Sequence, residues 1–272
     1  MEKISGVIIT YNEEKRIEDC LKSLLPFCDE IILVDSFSTD LTLEIASKYT
    51  SKIFQRKFDT YVTQKDYATS LAENKWVFWI DADERVSDDL IQAILQLKTD
   101  GFKADGYMIN RLSYYINGFY KYGGWYPDAK VRLFNKNYGN WGGEDPHDKI
   151  IMKSGARIGK IGKDVIHFSY RDLDHQIEKM NQFSSRSANE KVKAGQQLIV
   201  FHMVFNTIFK FVKCYIFQGG FLAGTKGLIN SVINAFYVFS KYAKLWEMKN
   251  SKPCNYKLFT KNETADRETP QM

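Results

Sequence analysis

Short apolar runs rich in β-branched residues recur through the first hundred positions, at residues 4–10, 31–34, 52–55 and 76–80. Between them the apolar positions fall three and four apart instead. Ile17, Leu21, Leu24 and Leu25 share one such spacing, and Leu43, Ile45 and Ala46 another. The first pattern predicts strands and the second predicts helices. Asn12 is expected to cap the first helix, Thr39 or Asp40 the second, and 64–74 reads as a third. Strands alternating with helices mean βαβ units and a parallel sheet. The strand runs are continuously apolar rather than alternating, so both faces of that sheet are expected to be covered.

After Gly101 the texture changes. Residues 106–116 and 130–135 read as strands of a mixed sheet. Two stretches dense in glycine, tryptophan, proline and acids, 123–127 and 140–148, read as loops lining a site. Residues 172–194 form a polar helical pattern. From 198 to 217 nearly every position is apolar except His202, Asn206, Lys210 and Lys213, which recur at helical spacing and form one narrow polar face. Gly219, Gly220, Gly224 and Gly227 then read as helix breakers, followed by a second helix over 228–246. The expected organisation is an α/β domain over 1–170, a helical region over 171–249, and a polar tail, 250–272, with the composition of a disordered segment.

The stretch 198–217 is long enough to span a bilayer. Two lysines, a histidine and an asparagine within it argue against spanning, because a lysine at the membrane centre costs about 2.5–3.5 kcal/mol. A broad apolar face with Phe201, Phe205, Ile208, Phe209, Val212 and Ile216, edged by lysine, suits a helix lying in the interface. Residues 196–249 hold six lysines against one glutamate, which favours an anionic surface. The bland alternative is that these helices pack on the α/β domain or on a second copy of the chain.

Composition narrows the class without naming it. At 272 residues with a net charge of +5, the chain is long enough for a full core and too weakly basic to argue for nucleic acid. Cys20, Cys28, Cys214 and Cys254 are scattered, with no zinc or disulfide spacing, and fit a reducing compartment. The N-terminus runs straight into a strand pattern with no signal-peptide profile, so a cytoplasmic location is expected.

The candidate chemistry clusters at strand ends. Asp81 and Asp83 follow the run 76–80, and in open α/β sheets ligands bind outside the carboxyl ends of strands. Two carboxylates there invite a hard divalent cation, whose common use is to hold a diphosphate. Asp35 ends the second strand and can accept from a base imide or a ribose hydroxyl. Asp40 reads better as a helix cap than as a ligand. Tyr11, at the end of the first strand, can stack on a base or simply pack. Lys65 can neutralise a phosphate or be an ordinary exposed helical lysine. Glu144, Asp145 and Asp148 form an acidic loop that is either a source of a general base or a solvated surface. The residues point first to a nucleotide-diphosphate enzyme; the alternatives to weigh are a nucleotidyltransferase, which lacks the expected lysine-bearing Gly-rich loop, and a non-catalytic sugar-binding or membrane scaffold.

Taken together, Thr10-Tyr11-Asn12-Glu13, Val34-Asp35-Ser36-Phe37-Ser38-Thr39-Asp40, Gln64-Lys65 and Ile80-Asp81-Ala82-Asp83-Glu84 resemble the inverting family 2 glycosyltransferases with a GT-A fold. Gly124-Trp125-Tyr126-Pro127, Arg132-Leu133-Phe134, Pro146-His147-Asp148, His167-Phe168-Ser169-Tyr170 and residues 239–247 resemble the branch that includes lipopolysaccharide core β-1,4-glucosyltransferases. The resemblance implies a Rossmann-like, mainly parallel mixed sheet with helices on both faces. It implies a nucleotide-sugar donor, UDP-sugar favoured, bound by Thr10, Tyr11, Asn12, Glu13, Asp35, Lys65, Asp81 and Ala82. It implies Mn²⁺ or Mg²⁺ held by Asp83 with Asp81 and His167, where His167 is otherwise a core histidine. The acceptor would be a lipid-linked, lipopolysaccharide or cell-surface glycan. The enzyme would sit peripherally on the cytoplasmic face of the inner membrane through 196–249, with a homo-oligomer as a further expectation. An inverting transfer needs one general base. Asp148 is favoured, then Asp145, then Glu144, although the branch carries His-Glu where this chain has His147-Asp148.

Overall fold

The computed structural model describes residues 2–143 and 148–251. Its N-terminal part is built from β1 (Ile4–Thr10), α1 (Ile17–Leu24), β2 (Glu30–Asp35), α2 (Thr42–Ala46), β3 (Lys52–Gln55), α3 (Tyr61–Ser70) and β4 (Trp76–Asp81). β1 pairs in parallel with both β2 and β4, and β2 with β3. The continuous apolar runs are explained by burial on two sides. Trp76, Phe78 and Ile80 of β4 enter a core with Ile4, Ile8, Leu21 and Leu24, while Val77 and Trp79 enter a second core with Val7, Val34, Ala68 and Trp141.

Register then decides what shares the sheet edge. Thr10 lies opposite Asp35, and Ile9 opposite Asp81, so three strands deliver their last residues to one rim. The sheet continues through β5 (Glu84–Val86), α4 (Asp88–Asp100), β6 (Gly106–Tyr114), β7 (Phe119–Tyr120), β8 (Lys130–Asn135) and β11 (Ile158–His167). β9 (Gly139–Gly142) and β10 (Lys149–Met152) form a separate ribbon. The nine-stranded sheet runs β3-β2-β1-β4-β8-β6-β11-β5, with β7 on β6. β8 is antiparallel to β4 and β6, and β11 is parallel to β6, so the sheet is mixed as expected.

Local chemistry moves several boundaries from their expected positions. The helix read over 64–74 starts at Tyr61, because Thr60 and Thr63 cap each other's backbone N–H groups, both at 3.2 Å. Asn12 does not cap α1, which begins at Ile17. It sits at φ 54°, accepts from Thr39 N–H at 2.8 Å and donates its own N–H to Ser38 Oγ at 2.8 Å, tying two strand-end loops together. Asp40 does serve the start of α2, accepting from Thr42 N–H at 3.0 Å.

The C-terminal helices are α5 (Leu173–Lys193), capped by Asp172 through His175 N–H, α6 (Ile199–Val212), and α7 (Gly224–Asn250). A π-helical turn, Lys213–Phe217, and a 3-10 turn, Gly220–Ala223, join the last two. Gly227 is not a breaker but lies inside α7. A Cβ there would be 1.7 Å from the Gly220 carbonyl oxygen, so the glycine permits the close crossing. His202 and Asn206 of the narrow polar stripe lie on the packed side of α6, whereas Lys213 is exposed in the turn that follows. Asn206 donates to the Tyr242 hydroxyl at 3.1 Å, and the His202 ring stacks on Tyr242. The phenylalanines face outward, with Phe201, Phe205 and Phe209 each more than half exposed. Ile199–Phe217 is long and apolar enough, by length and composition, to cross a membrane. The expected disordered tail falls outside the described residues from 252 onward.

Candidate active site

A cavity of about 1280 Å³ opens at the strand-end rim, with Thr10, Tyr11, Asp81, Asp83, Asp148 and His167 in its wall. Lys65 stands at its floor. The β9–β10 ribbon reaches it because Trp141 of β9 donates from Nε1 to Thr69 Oγ1 of α3 at 2.9 Å and packs edge-on against Trp79. Asp148, one residue before β10, thereby meets α3. Lys65 Nζ lies 2.9 Å from Asp148 Oδ2 and 3.0 Å from Asp81 Oδ1, over the rings of Trp79 and Trp141 at 4.4 and 5.0 Å. Burial works against the Lys65 cation, but Asp81 and Asp148 outweigh it and raise its pKa. Burial likewise pushes Asp81 up, and the charges of Lys65 and Arg132 reverse this, holding its carboxyl well below the usual carboxylate range.

The turn between Asp81 and Asp83 is supported from beneath. Glu84 Oε2 accepts from Asp81 N–H at 3.1 Å. Its carboxylate is gripped at both oxygens by the fully buried Arg132 guanidinium, which lies 4.2 Å over Trp79. Pairing of β11 with β5 sets His167 opposite Glu84, and Phe168 N–H donates to the Asp83 carbonyl at 2.9 Å. His167 Nε2 is then 3.4 Å from Asp83 Oδ2, while its Nδ1 faces Ser169 Oγ at 2.8 Å. Burial opposes ionisation of Asp83, yet its hydrogen bond and charge contact with His167 lower its pKa overall.

A carboxylate oxygen and an imidazole nitrogen this close are a donor pair that suits Mn²⁺ or Mg²⁺, ions that commonly complete their shell with substrate phosphates and water. Among the described residues no three His, Cys, Asp or Glu side chains converge to hold a metal by themselves. Asp83 and His167 therefore fit such an ion only in company with a substrate. Asp81 is engaged by Lys65.

At the outer rim Tyr11 is 58% exposed and lines the cavity. Asp35 is fully buried and accepts from Ser38 N–H at 2.8 Å, Ser38 Oγ at 2.5 Å and Gln55 Nε2 at 3.3 Å, which shapes the loop behind the rim. Thr10 Oγ1 is buried without a hydrogen-bond partner among the described residues, and the buried Ala82 also lines the cavity. Glu13 is held at both carboxylate oxygens by Arg16, at 2.7 and 2.9 Å. Glu144 and Asp145 lie outside the described residues.

Sequence reasoning missed three contributors. Arg16 lies 3.9 Å from Asp83 and donates to the Phe168 carbonyl at 2.9 Å, tying the first loop to the last strand. Arg132 was legible only as part of a motif. Lys179 of α5 lines the cavity and donates to the Ser169 carbonyl at 3.1 Å. Burial and positive neighbours lower its pKa against the opposing pull of Asp83. Nothing in a polar helical pattern marks one lysine as facing a site.

The family model described as "Glycosyl transferase family 2" matches residues 5–157. An uncharacterized glycosyltransferase of Rickettsia typhi is 33% identical over 258 residues, covering 91% of this chain and 88% of that protein. The lipopolysaccharide core biosynthesis glycosyltransferase LpsC of Rhizobium meliloti is 27% identical over 250 residues, covering 90% and 92%. Among solved structures, the mannosyltransferase PcManGT from Pyrobaculum calidifontis, in complex with GDP-Man and Mn²⁺, aligns with a TM-score of 0.53 and 13% identity, covering 91% of this chain and 88% of that one. That likeness is one of fold, the GT-A arrangement.

Proposed function

The chain belongs to glycosyl transferase family 2, and from that premise we propose that it is a metal-dependent inverting hexosyltransferase. It moves a sugar from a UDP-sugar to a hydroxyl of a lipid-linked or lipopolysaccharide-type glycan at the cytoplasmic face of the inner membrane. One observation carries the reading: a single buried amine, Lys65, holds Asp148 and Asp81 together, in the same cavity as the Asp83–His167 pair.

The roles follow from that arrangement. Tyr11 stacks on the base, and Asp35 acts through the loop that it shapes. Thr10, Asn12 and Glu13 form the donor rim. Asp81 and Ala82 border the ribose and sugar, and Lys65 meets the diphosphate. Asp83 and His167 would hold Mn²⁺ or Mg²⁺, and such an ion would supply positive charge against the diphosphate. Asp148 accepts the proton of the acceptor hydroxyl as its oxygen attacks the anomeric carbon from the face opposite the diphosphate. The new C–O bond forms as the bond to the diphosphate breaks, and the configuration inverts.

We read 1–170 as the catalytic domain and 171–249 as the membrane-facing region. The exposed phenylalanines of α6 and the lysines of this segment support interfacial binding. The printed name of the Rhizobium relative supports a lipopolysaccharide-type acceptor.

The test is thermal stabilisation of the full chain by UDP and by GDP, with and without Mn²⁺. Metal-dependent stabilisation by one nucleotide is expected. Asp148→Asn should keep it while losing sugar transfer, and Asp83→Ala should lose both. Absence of metal-dependent stabilisation by either nucleotide would sink the proposal.

A further inference from the structure

The cavity is larger than one substrate needs. Pockets for drug-sized ligands run to about 300–1,000 Å³, and this one, at about 1280 Å³, continues past the strand-end rim onto α5 and α7. One face of α5 borders it from Gln176 to Glu190, a length of about 21 Å at about 1.5 Å per residue. This arm is chemically unlike the carboxylate-rich rim. Met180 and Phe183 of α5 and Ile233 and Tyr237 of α7 give it a partly apolar lining, with the polar Ser187 and Asn234 beside them, and the Tyr237 hydroxyl meets Ser187 Oγ at 2.8 Å. Two cations, Lys179 and Arg186, stand along the same wall, with one carboxylate, Glu190, at its end. Lys179 is tied to the Ser169 carbonyl. Arg186 has no hydrogen-bond or ion-pair partner among the described residues. This solvent-exposed guanidinium suits an oxyanion, which it can bind through two parallel hydrogen bonds.

α7 also connects this arm to the outer surface. Ile233 and Tyr237 line the cavity, while their chain neighbours Val232 and Phe236, with Phe239, are exposed on the adjoining side of the helix.

We infer that the α5–α7 arm is an acceptor subsite for an anionic amphiphile, with Arg186 and Lys179 gripping a phosphate or carboxylate and the partly apolar lining holding the adjacent apolar part. The inference rests on the transferase reading for its assignment to the acceptor.

Titration calorimetry on the full chain with dodecyl phosphate, dodecanoate and uncharged dodecyl maltoside, each below its micelle concentration, tests it. Dodecyl phosphate should bind at least about tenfold tighter than the maltoside. Arg186→Gln should remove about tenfold of that preference, the loss expected for one charge-assisted hydrogen bond, and Arg186→Lys should keep part of it. UDP affinity, measured in the same samples, should stay within about twofold, the tolerance of a fold that is intact. Dodecanoate binding as tightly as dodecyl phosphate assigns any anion, and weaker binding assigns phosphate; both support the subsite. Equal affinity for charged and uncharged amphiphiles, or a preference unmoved by Arg186→Gln, overturns it. Loss of UDP binding by the unmodified chain would instead remove the transferase premise, and is read separately.

Discussion

Replacing Lys65 with methionine isolates the interaction at the centre of the site. The amine is buried and sits about equidistant from Asp81 and Asp148, at 3.0 and 2.9 Å. Methionine keeps an unbranched apolar stem against Trp79 and Trp141 but leaves two carboxylates without their shared counter-charge. Removing one member of a buried ion pair costs about 3–5 kcal/mol. The Asp81 side chain is 30% exposed, so solvent relieves part of this, and the lower end, about 3 kcal/mol, applies. For a chain of this size that is a fall in melting temperature of about 6–12 °C. The pH dependence has a definite sign. Asp81 has a folded pKa below its unfolded value, so its stabilising contribution is complete above the unfolded value of about 3.9 and is lost as pH falls through the folded one. The gap between the parent chain and Lys65→Met should therefore be widest near neutral pH, begin to narrow below about pH 4, and close only as pH falls through the lower folded value. Circular-dichroism melts without nucleotide, across that range, measure it. A melting temperature within about 2 °C of the parent at neutral pH, or a gap of constant size at every pH, would refute the pairing as a stabilising contact.

Two further experiments test the C-terminal helices. Gly227→Ala should cost about 1–3 kcal/mol, because its methyl would lie 1.7 Å from the Gly220 carbonyl oxygen. Gly162→Ala, where the new methyl meets open space, should leave the melt unchanged; equal effects would show that the crossing at Gly220 is not tight. Phe205→Ser with Phe209→Ser, both exposed in the structure, should weaken sedimentation with phosphatidylglycerol vesicles at least about tenfold. Unchanged vesicle binding, accompanied by a smaller mass in gel filtration, would assign the face to a second copy of the chain.

The strand ends were legible because of what parallel sheets require. Strands covered on both faces are continuously apolar, so a sudden Asp35 or Asp81 marks the rim without further information. The polar helix read over 172–194 was equally legible, through its composition. Asn12 misled for a physical reason. Asparagine favours both helix caps and left-handed turns, and only the neighbouring loop at Ser38 and Thr39 decides between them. Gly227 misled because glycine marks a helix end or a close approach alike, and the Gly220 carbonyl that approaches is visible only in three dimensions.

Sequence alone determined the parallel βαβ core, the acidic rim at β2 and β4, and an apolar, lysine-edged C-terminal segment, since each of these is a local pattern of burial and charge. Tertiary structure decided which side of α6 is packed, and that α5 and α7 wall the cavity rather than hang from it. It also turned Lys65 from a helical lysine into the partner of two aspartates, one of them 83 residues away. That last contact exists because Trp141 anchors a separate ribbon against α3. Helix periodicity reports only that a residue faces inward or outward, whereas an ion pair depends on which distant element folds back to meet it.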